Sequence, residues 1–446
     1  MLRNPHNYVG KDVLKVDAQA KTTGEAIYPN DIYFDDMLYA RVKRATHPHA
    51  YLKELDISKA EALDEVVTVI TANDYPDLNN FGLIIKDQPV LIGIGEKMRF
   101  MGDALAIVVA ETREAARKGR DLIECEVEEL EVISDPIRAM EDDAPSVHKG
   151  DNILDNNNLD KNIVTNHKLK QGDVEKGFNK ADLIVENEYT TQHIDQLPLQ
   201  NEAGVAFYDE SSEEIKLWVA SQWIHDSQAD IAQSLGIAKD KVRIIQPAIG
   251  GAFGKKEDIS VHIHLALAAL ETKRPVKMAY SREESMIAQS KRHPIIIRMK
   301  TGVKNNGKLT AVQVEVIGDT GAYASSGPAV VHKGLFHCTG PYNVPNVEGE
   351  SYTVYTNNTY GGAMRGFGAL QMAFAYDSQM DIIAHKLGID PLELRYKNAY
   401  DRGSKTATGQ ILNRSVNVKE TLEEAKDMLK DKEGQQWKKE VKVYLQ

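Results

Sequence analysis

Gly250-Gly251-Ala252-Phe253-Gly254-Lys255-Lys256-Glu257 is the stretch whose reading decides the fold, together with a second segment further on, Gly362-Ala363-Met364-Arg365-Gly366-Phe367-Gly368-Ala369-Leu370-Gln371. Each surrounds one phenylalanine with small residues and ends beside a predicted helix. Glycine lets backbone N–H groups approach a bound anion closely. One such loop is common; two together suggest a large anionic ligand held mainly by main chain. A phosphate-binding loop of the GxxxxGK[ST] type does not fit, because it needs Gly at Ile249 and Ser or Thr at Lys256.

Working outward, Lys241 to Ile245 reads as a strand running into the first loop, and a helix is expected from about Ser260 to Thr272. Glu214 to Val219 alternates as a strand does, and Ser227 to Leu235 reads as a helix ended by Gly236. Ile295–Val303 and Leu309–Val316 are strands joined at Asn305-Asn306-Gly307, a hairpin signal. After the second loop, Ala369 to Leu387 is helical up to Gly388, and Asp390-Pro391 starts another helix. Nearer the start, Met37–Val42 and Val66–Ile70 read as strands. The unbroken apolar run Ala104–Ala110 suits a strand buried on both faces, and Thr112 caps a helix to about Leu122.

The polar stretch from Asp142 to Asn166, with Asn156-Asn157-Asn158 inside it, is the best domain boundary. The expected fold is therefore α+β. A compact α/β unit spans 10–145, a larger mixed α/β domain spans 165–425, and a charged tail covers 426–446.

A chain of 446 residues, 42% apolar and 27% charged, is globular and long enough for two or three cores. No apolar run approaches the roughly 20 residues of a membrane span, and the start shows no secretory signal. A formal charge of −12 argues against nucleic acid or an anionic membrane as partner. Cys125 and Cys338 are too few for an iron–sulfur cluster, which takes four ligands, so any electron relay is expected on other chains. Both read as buried cysteines of a cytoplasmic protein.

The paired loops resemble the GGxFG(G/K)K and RGFG segments of the molybdenum hydroxylases, the xanthine dehydrogenase/aldehyde oxidase family. Other segments match in order: Arg44-Ala45-Thr46-His47-Pro48-His49-Ala50, Met101 to Ala110, Ser221-Gln222, Ser281 to Ser285, Arg292-His293-Pro294 and Gly318 to Tyr323. The resemblance runs from about residue 10 to 425. It implies an N-terminal hammerhead-like α/β domain followed by a mixed α/β molybdopterin-binding domain.

Family catalytic subunits continue into a second half that carries a Gly-x-Gly-Glu general base. Gly93-Ile94-Gly95-Glu96 has those letters in the wrong domain and reads as a coincidence. The chain thus resembles a split large subunit of the nicotinate dehydrogenase kind. The resemblance then implies a second molybdopterin subunit that supplies the base, and no activity from this chain alone.

The resemblance also implies site roles. Gly250, Gly251, Ala252, Phe253, Gly254, Ala363, Met364, Arg365, Gly366 and Phe367 would hold the cofactor. Gln222 would donate to an apical oxo ligand on molybdenum, with a capping or core glutamine as the alternative, and no side chain would ligate the metal directly. Phe253 would exclude water beside the metal, with a plain core role as the alternative. Arg365 would pair with anionic groups. Phe367 would stack on a flat heteroaromatic substrate, and Glu257 would orient a purine, with a solvated acid in a helix's first turn as the alternative. Lys333 stands where xanthine enzymes have Arg, keeping the charge without the bidentate fork.

Lys255 departs from the more frequent Gly, and Gln200-Asn201-Glu202 from the usual Glu-Pro-x. No cysteine in the second loop matches the copper-binding one of the carbon monoxide dehydrogenases. His262 and His264 are not one-face partners on a helix and read as structural.

The function so implied is hydroxylation of an N-heteroaromatic substrate with water as oxygen source. Xanthine or hypoxanthine, nicotinate, and then aldehydes are the candidates. The cofactor would be molybdopterin, or its cytosine dinucleotide, with a sulfido or selenido ligand, and electrons would pass to 2Fe-2S and FAD partner chains. The other readings are a non-catalytic scaffold or cofactor-delivery subunit with a vestigial pocket, and a fragment of a longer oxidoreductase.

Overall fold

A computed structural model describes residues 11–148 and 162–430. The Asn156–Asn158 run and the end of the charged tail lie outside them. The strands form three sheets. The largest has seven, in the order Val242–Ile245, Glu214–Val219, Ala203–Asp209, Val276–Ala279, Leu38–Arg44, Ala104–Ala110, Val66–Thr71. Every residue of Ala104–Ala110 is buried, as its unbroken apolar run requires. Ala106 and Val108 face a small core with Ala60 and Ile123, while Ile107 and Val109 join the main core with Leu265 and Leu267 of the helix His262–Thr272.

This sheet draws strands from both sides of the Asn-rich stretch, since Leu38, Tyr39 and Ala40 pair in parallel with Val276, Lys277 and Met278. A small sheet of Lys97–Met98, Ala50–Asp56 and Glu124–Glu129 completes the first unit. The cap on the helix Arg113–Leu122 is as expected: Thr112 Oγ1 accepts from the Ala115 N–H at 3.1 Å.

The second large sheet has the order Ile163–Gln171, Val347–Tyr355, Leu309–Gly321, Ile295–Val303, Leu183–Thr190. The helices Ala369–Leu387 and Gly327–Phe336 pack Met372, Ile383 and Leu335 onto Val314 and Val316. Each such fully buried side chain contributes on the order of 2 kcal/mol. The hairpin turns at Gly307, with φ +83°, as the sequence predicts.

Several elements depart from their expected limits. The first strand is Leu38–Arg44, and the helix expected from Ser227 begins at Ile224. The helix after the first loop begins at His262, which lengthens the loop. Cys338 is buried, its thiol pushed up to about 12 by burial, but Cys125 is only half-buried. No described helix is long and apolar enough to cross a membrane.

Candidate functional site

The strand Val242–Ile245 delivers the chain to the first loop, which three side chains pin. The Gly250 N–H donates to Gln200 Oε1 at 2.6 Å, and the Gly254 N–H to Gln222 Oε1 at 3.0 Å. Lys256 Nζ donates to the Gly251 carbonyl at 2.6 Å. The amides of Gly251, Ala252 and Phe253 find no acceptor among the described residues. Gln222 Nε2 likewise has no partner among them. Phe253 sits at φ +57° and is 49% exposed, so the plain core alternative is excluded.

The second loop rests on the helix Gly327–Phe336. A Cβ on Gly368, where φ is +89°, would come within 2.0 Å of the Val330 carbonyl oxygen. This close seat brings Lys333 Nζ to 5.6 Å from the centre of the Phe367 ring. Phe367 has φ +48°. Each loop therefore holds its one phenylalanine in the left-handed region, a strain of about 1–3 kcal/mol apiece that a surrounding framework must offset. That framework is polar. Gln196 Nε2 donates to the Ala363 carbonyl at 2.8 Å, and Arg292 Nη2 to the Arg365 carbonyl at 2.8 Å.

The loops meet directly. The Arg365 N–H donates to the Phe253 carbonyl at 2.9 Å. A Cβ on Gly254 would lie 2.3 Å from the Ala363 carbonyl oxygen. Between them opens a hollow of about 610 Å³, bordered by Phe253, Met364, Arg365, Gly366, Leu370, Gln196 and Arg292. No carboxylate lines it. Its lining holds the exposed Arg365 guanidinium, which forms no ion pair among the described residues, and Phe253, whose amide has no acceptor among them; the free amides of Gly251 and Ala252 adjoin it in the chain. This set suits an anionic, multidentate group.

Glu257 is half-buried, with Oε2 unpartnered. Burial, then the neighbouring Asp258 charge, pushes its carboxyl up to about 7. Asp258 is itself raised to about 6 by burial. Beneath the first loop, burial lowers Lys256 and Lys291 to about 8. Lys255 is completely buried and pairs with Asp195.

The structure brings Gln222, Phe253, Arg365 and Phe367 together with both glycine loops. It brings Lys333 to Phe367, but no described contact joins Glu257 to Lys333. Glu96 is exposed and only closes its own turn, accepting from the Gly93 N–H at 2.8 Å. His262 and His264 are buried, and burial lowers both to about 4. Among the described residues no group of His, Cys, Asp or Glu could hold a metal ion. Sequence reasoning gave no role to Gln196, Asp195, Lys291 or Arg292. Arg292 stood in a matched segment, but nothing local shows that its guanidinium reaches the second loop.

The molybdopterin cofactor-binding domain family matches residues 155–399, and the a/b hammerhead domain of aldehyde oxidase and xanthine dehydrogenase matches residues 23–131. The chain is 44% identical to the nicotinate dehydrogenase large molybdopterin subunit of Eubacterium barkeri, over 95% of this chain and 96% of that one. It is 38% identical to a probable xanthine dehydrogenase subunit of Bacillus subtilis, over 86% of this chain but 50% of that one. The aldehyde oxidoreductase structure from Desulfovibrio gigas superposes with a TM-score of 0.87 at 28% identity, covering 93% of this chain and 46% of that chain. The chain thus spans nearly all of the first relative and about half of the other two.

Proposed function

The chain belongs to the molybdenum hydroxylase family of xanthine dehydrogenases and aldehyde oxidases, and from that membership we propose that it forms one wall of a molybdopterin site completed by a second polypeptide. One observation carries this reading: the two glycine loops are hydrogen-bonded to each other and together border one open hollow, with Phe253 and Arg365 in its lining. When bound, the cofactor supplies hydroxylation of an electron-poor carbon with water as oxygen source. The chain's own residues hold and orient. Gly251, Ala252 and Phe253 offer amides to anionic groups, and Arg365 adds a charge. Gln222, fixed through its Oε1 on Gly254, is left with an amide to donate. Phe253 shields the hollow from water. Phe367, with Lys333 beside its ring, forms an aromatic and cationic edge for a flat substrate.

The substrate we favour is an N-heteroaromatic. The likeness to the nicotinate dehydrogenase subunit supports a carboxylated ring, which Lys333 would attract, and the half-buried Glu257 keeps purines such as xanthine as the second choice. The general base, 2Fe-2S and FAD centres belong to partner chains in this reading, and the protein works in the cytoplasm. The test is turnover of nicotinate, xanthine, hypoxanthine and an aldehyde by the complex captured through a tag on this chain, in heavy-oxygen water. Label in a hydroxylated heteroaromatic supports the reading. An intact, metal-loaded complex that turns over only the aldehyde contradicts the substrate class.

A further inference from the structure

Lys255 and Lys291 both reach one carboxylate. Lys255 Nζ lies 2.9 and 2.8 Å from the two oxygens of Asp195, and Lys291 Nζ lies 3.0 Å from its Oδ2. All three side chains are buried, Lys255 completely. Lys255 directly follows Gly254 of the first loop, and its N–H donates to the Ala252 carbonyl at 3.0 Å. Lys291 belongs to the second loop's support. Its N–H donates to the Tyr360 carbonyl at 3.0 Å and its carbonyl accepts from the Gly362 N–H at 2.8 Å. Next to Asp195 in the chain, Gln196 donates to Ala363. The Asp195-Gln196 pair therefore touches both loops, at Lys255 and at Ala363, in addition to the direct bond between Arg365 and Phe253.

We propose that Asp195 is a positioning residue, an ionic staple that fixes the two glycine loops relative to each other through Lys255 and Lys291. Lys255 then adds a buried charged clamp to the backbone contact that Gly254 makes with Ala363. Removing Asp195 strands two buried ammonium groups, which is far costlier than losing an exposed pair, and removing either lysine unties one loop from the shared carboxylate. The inference rests on reading the loops as one cofactor wall, but its test does not use turnover.

The experiment is hydrogen–deuterium exchange on the full chain in its native complex, following the segments 250–257 and 361–368. Lys291→Met and Lys255→Gly are compared with the parent, and the hairpin 295–316 serves as an internal control. The staple predicts that each substitution raises exchange in both segments by roughly tenfold or more, with the hairpin unchanged. Asp195→Asn does the same and Asp195→Glu restores part of the protection. If Asp195→Asn does not fold, the two lysine variants decide. Loosening confined to the segment nearest each substitution, or none at all, overturns the staple. That failure is separable from failure of the cofactor reading, because molybdenum content is measured on the same parent complex.

Discussion

The Arg365 N–H donates to the Phe253 carbonyl across 2.9 Å, and this bond makes one surface of two loops distant in sequence. It starts from the carbonyl of one strained phenylalanine and ends two residues before the other, at φ +57° and +48°. Left-handed backbone at a bulky residue persists only where the surroundings over-determine it. Here the surroundings are Gln222, Gln200, Lys256, Gln196 and Arg292, all bonded to loop backbone.

Gly254 is the point of closest approach, so it is the sharpest test of that surface. Its φ is +107°, and an added Cβ would overlap the Ala363 backbone. Gly254→Ala should cost about 3 kcal/mol, from left-handed strain plus overpacking. Gly236→Ala, also at positive φ but in open space, should cost only about 1 kcal/mol. Denaturant midpoints of the two variants check the ordering; equal losses would show that the loops do not press on each other.

Gln222 separates two tasks in one side chain. Gln222→Glu keeps an oxygen for the Gly254 N–H but loses the amide donor. The expected result is near-parental stability with kcat lowered about 100- to 1000-fold. Gln222→Ala should lose stability as well. Full activity in the Glu variant would remove the proposed donor role.

Glu257 makes a pH prediction with a definite sign. Its ordinary value is 4.5 and its folded value about 7, raised first by burial. The folded state therefore binds the proton more tightly, and this group's stabilisation is lost as pH rises from 4.5 through 7. Buried His262 and His264, lowered to about 4, act oppositely, destabilising the fold as pH falls below 6.5. The difference between parent and Glu257→Gln isolates the carboxyl. The parent should lose more thermal stability than the variant over that window. Parallel melting curves would mean that Glu257 is solvated.

Lys333→Met tests the charged edge beside Phe367. For an anionic ring such as nicotinate, KM should rise roughly two- to fivefold with kcat little changed, the cost of one exposed charge contact. For an uncharged heteroaromatic it should stay near parental. An equal effect on both would argue that Lys333 only supports the loop.

Much of this was legible in the sequence because the signals were local. The run Ala104–Ala110, the Thr112 cap, the Asn305–Gly307 turn and the helix Ala369–Leu387 all express short-range rules. So does the glycine content of the loops, since close backbone approach leaves no room for a Cβ. What escaped was long-range. Nothing near Leu38 announces a parallel partner at Val276, and nothing near Asp195 announces two lysines from other segments. Phe253 showed the limit of composition alone. An aromatic among glycines reads equally well as core, and only its half-exposure decided against that.

The central claim, a molybdopterin site shared with a second chain, is tested most directly by molybdenum content per chain in complexes captured from the native host through a tag on this chain. The account predicts near-stoichiometric molybdenum, retained only while a companion polypeptide co-purifies. An intact companion complex that carries no molybdenum would contradict it.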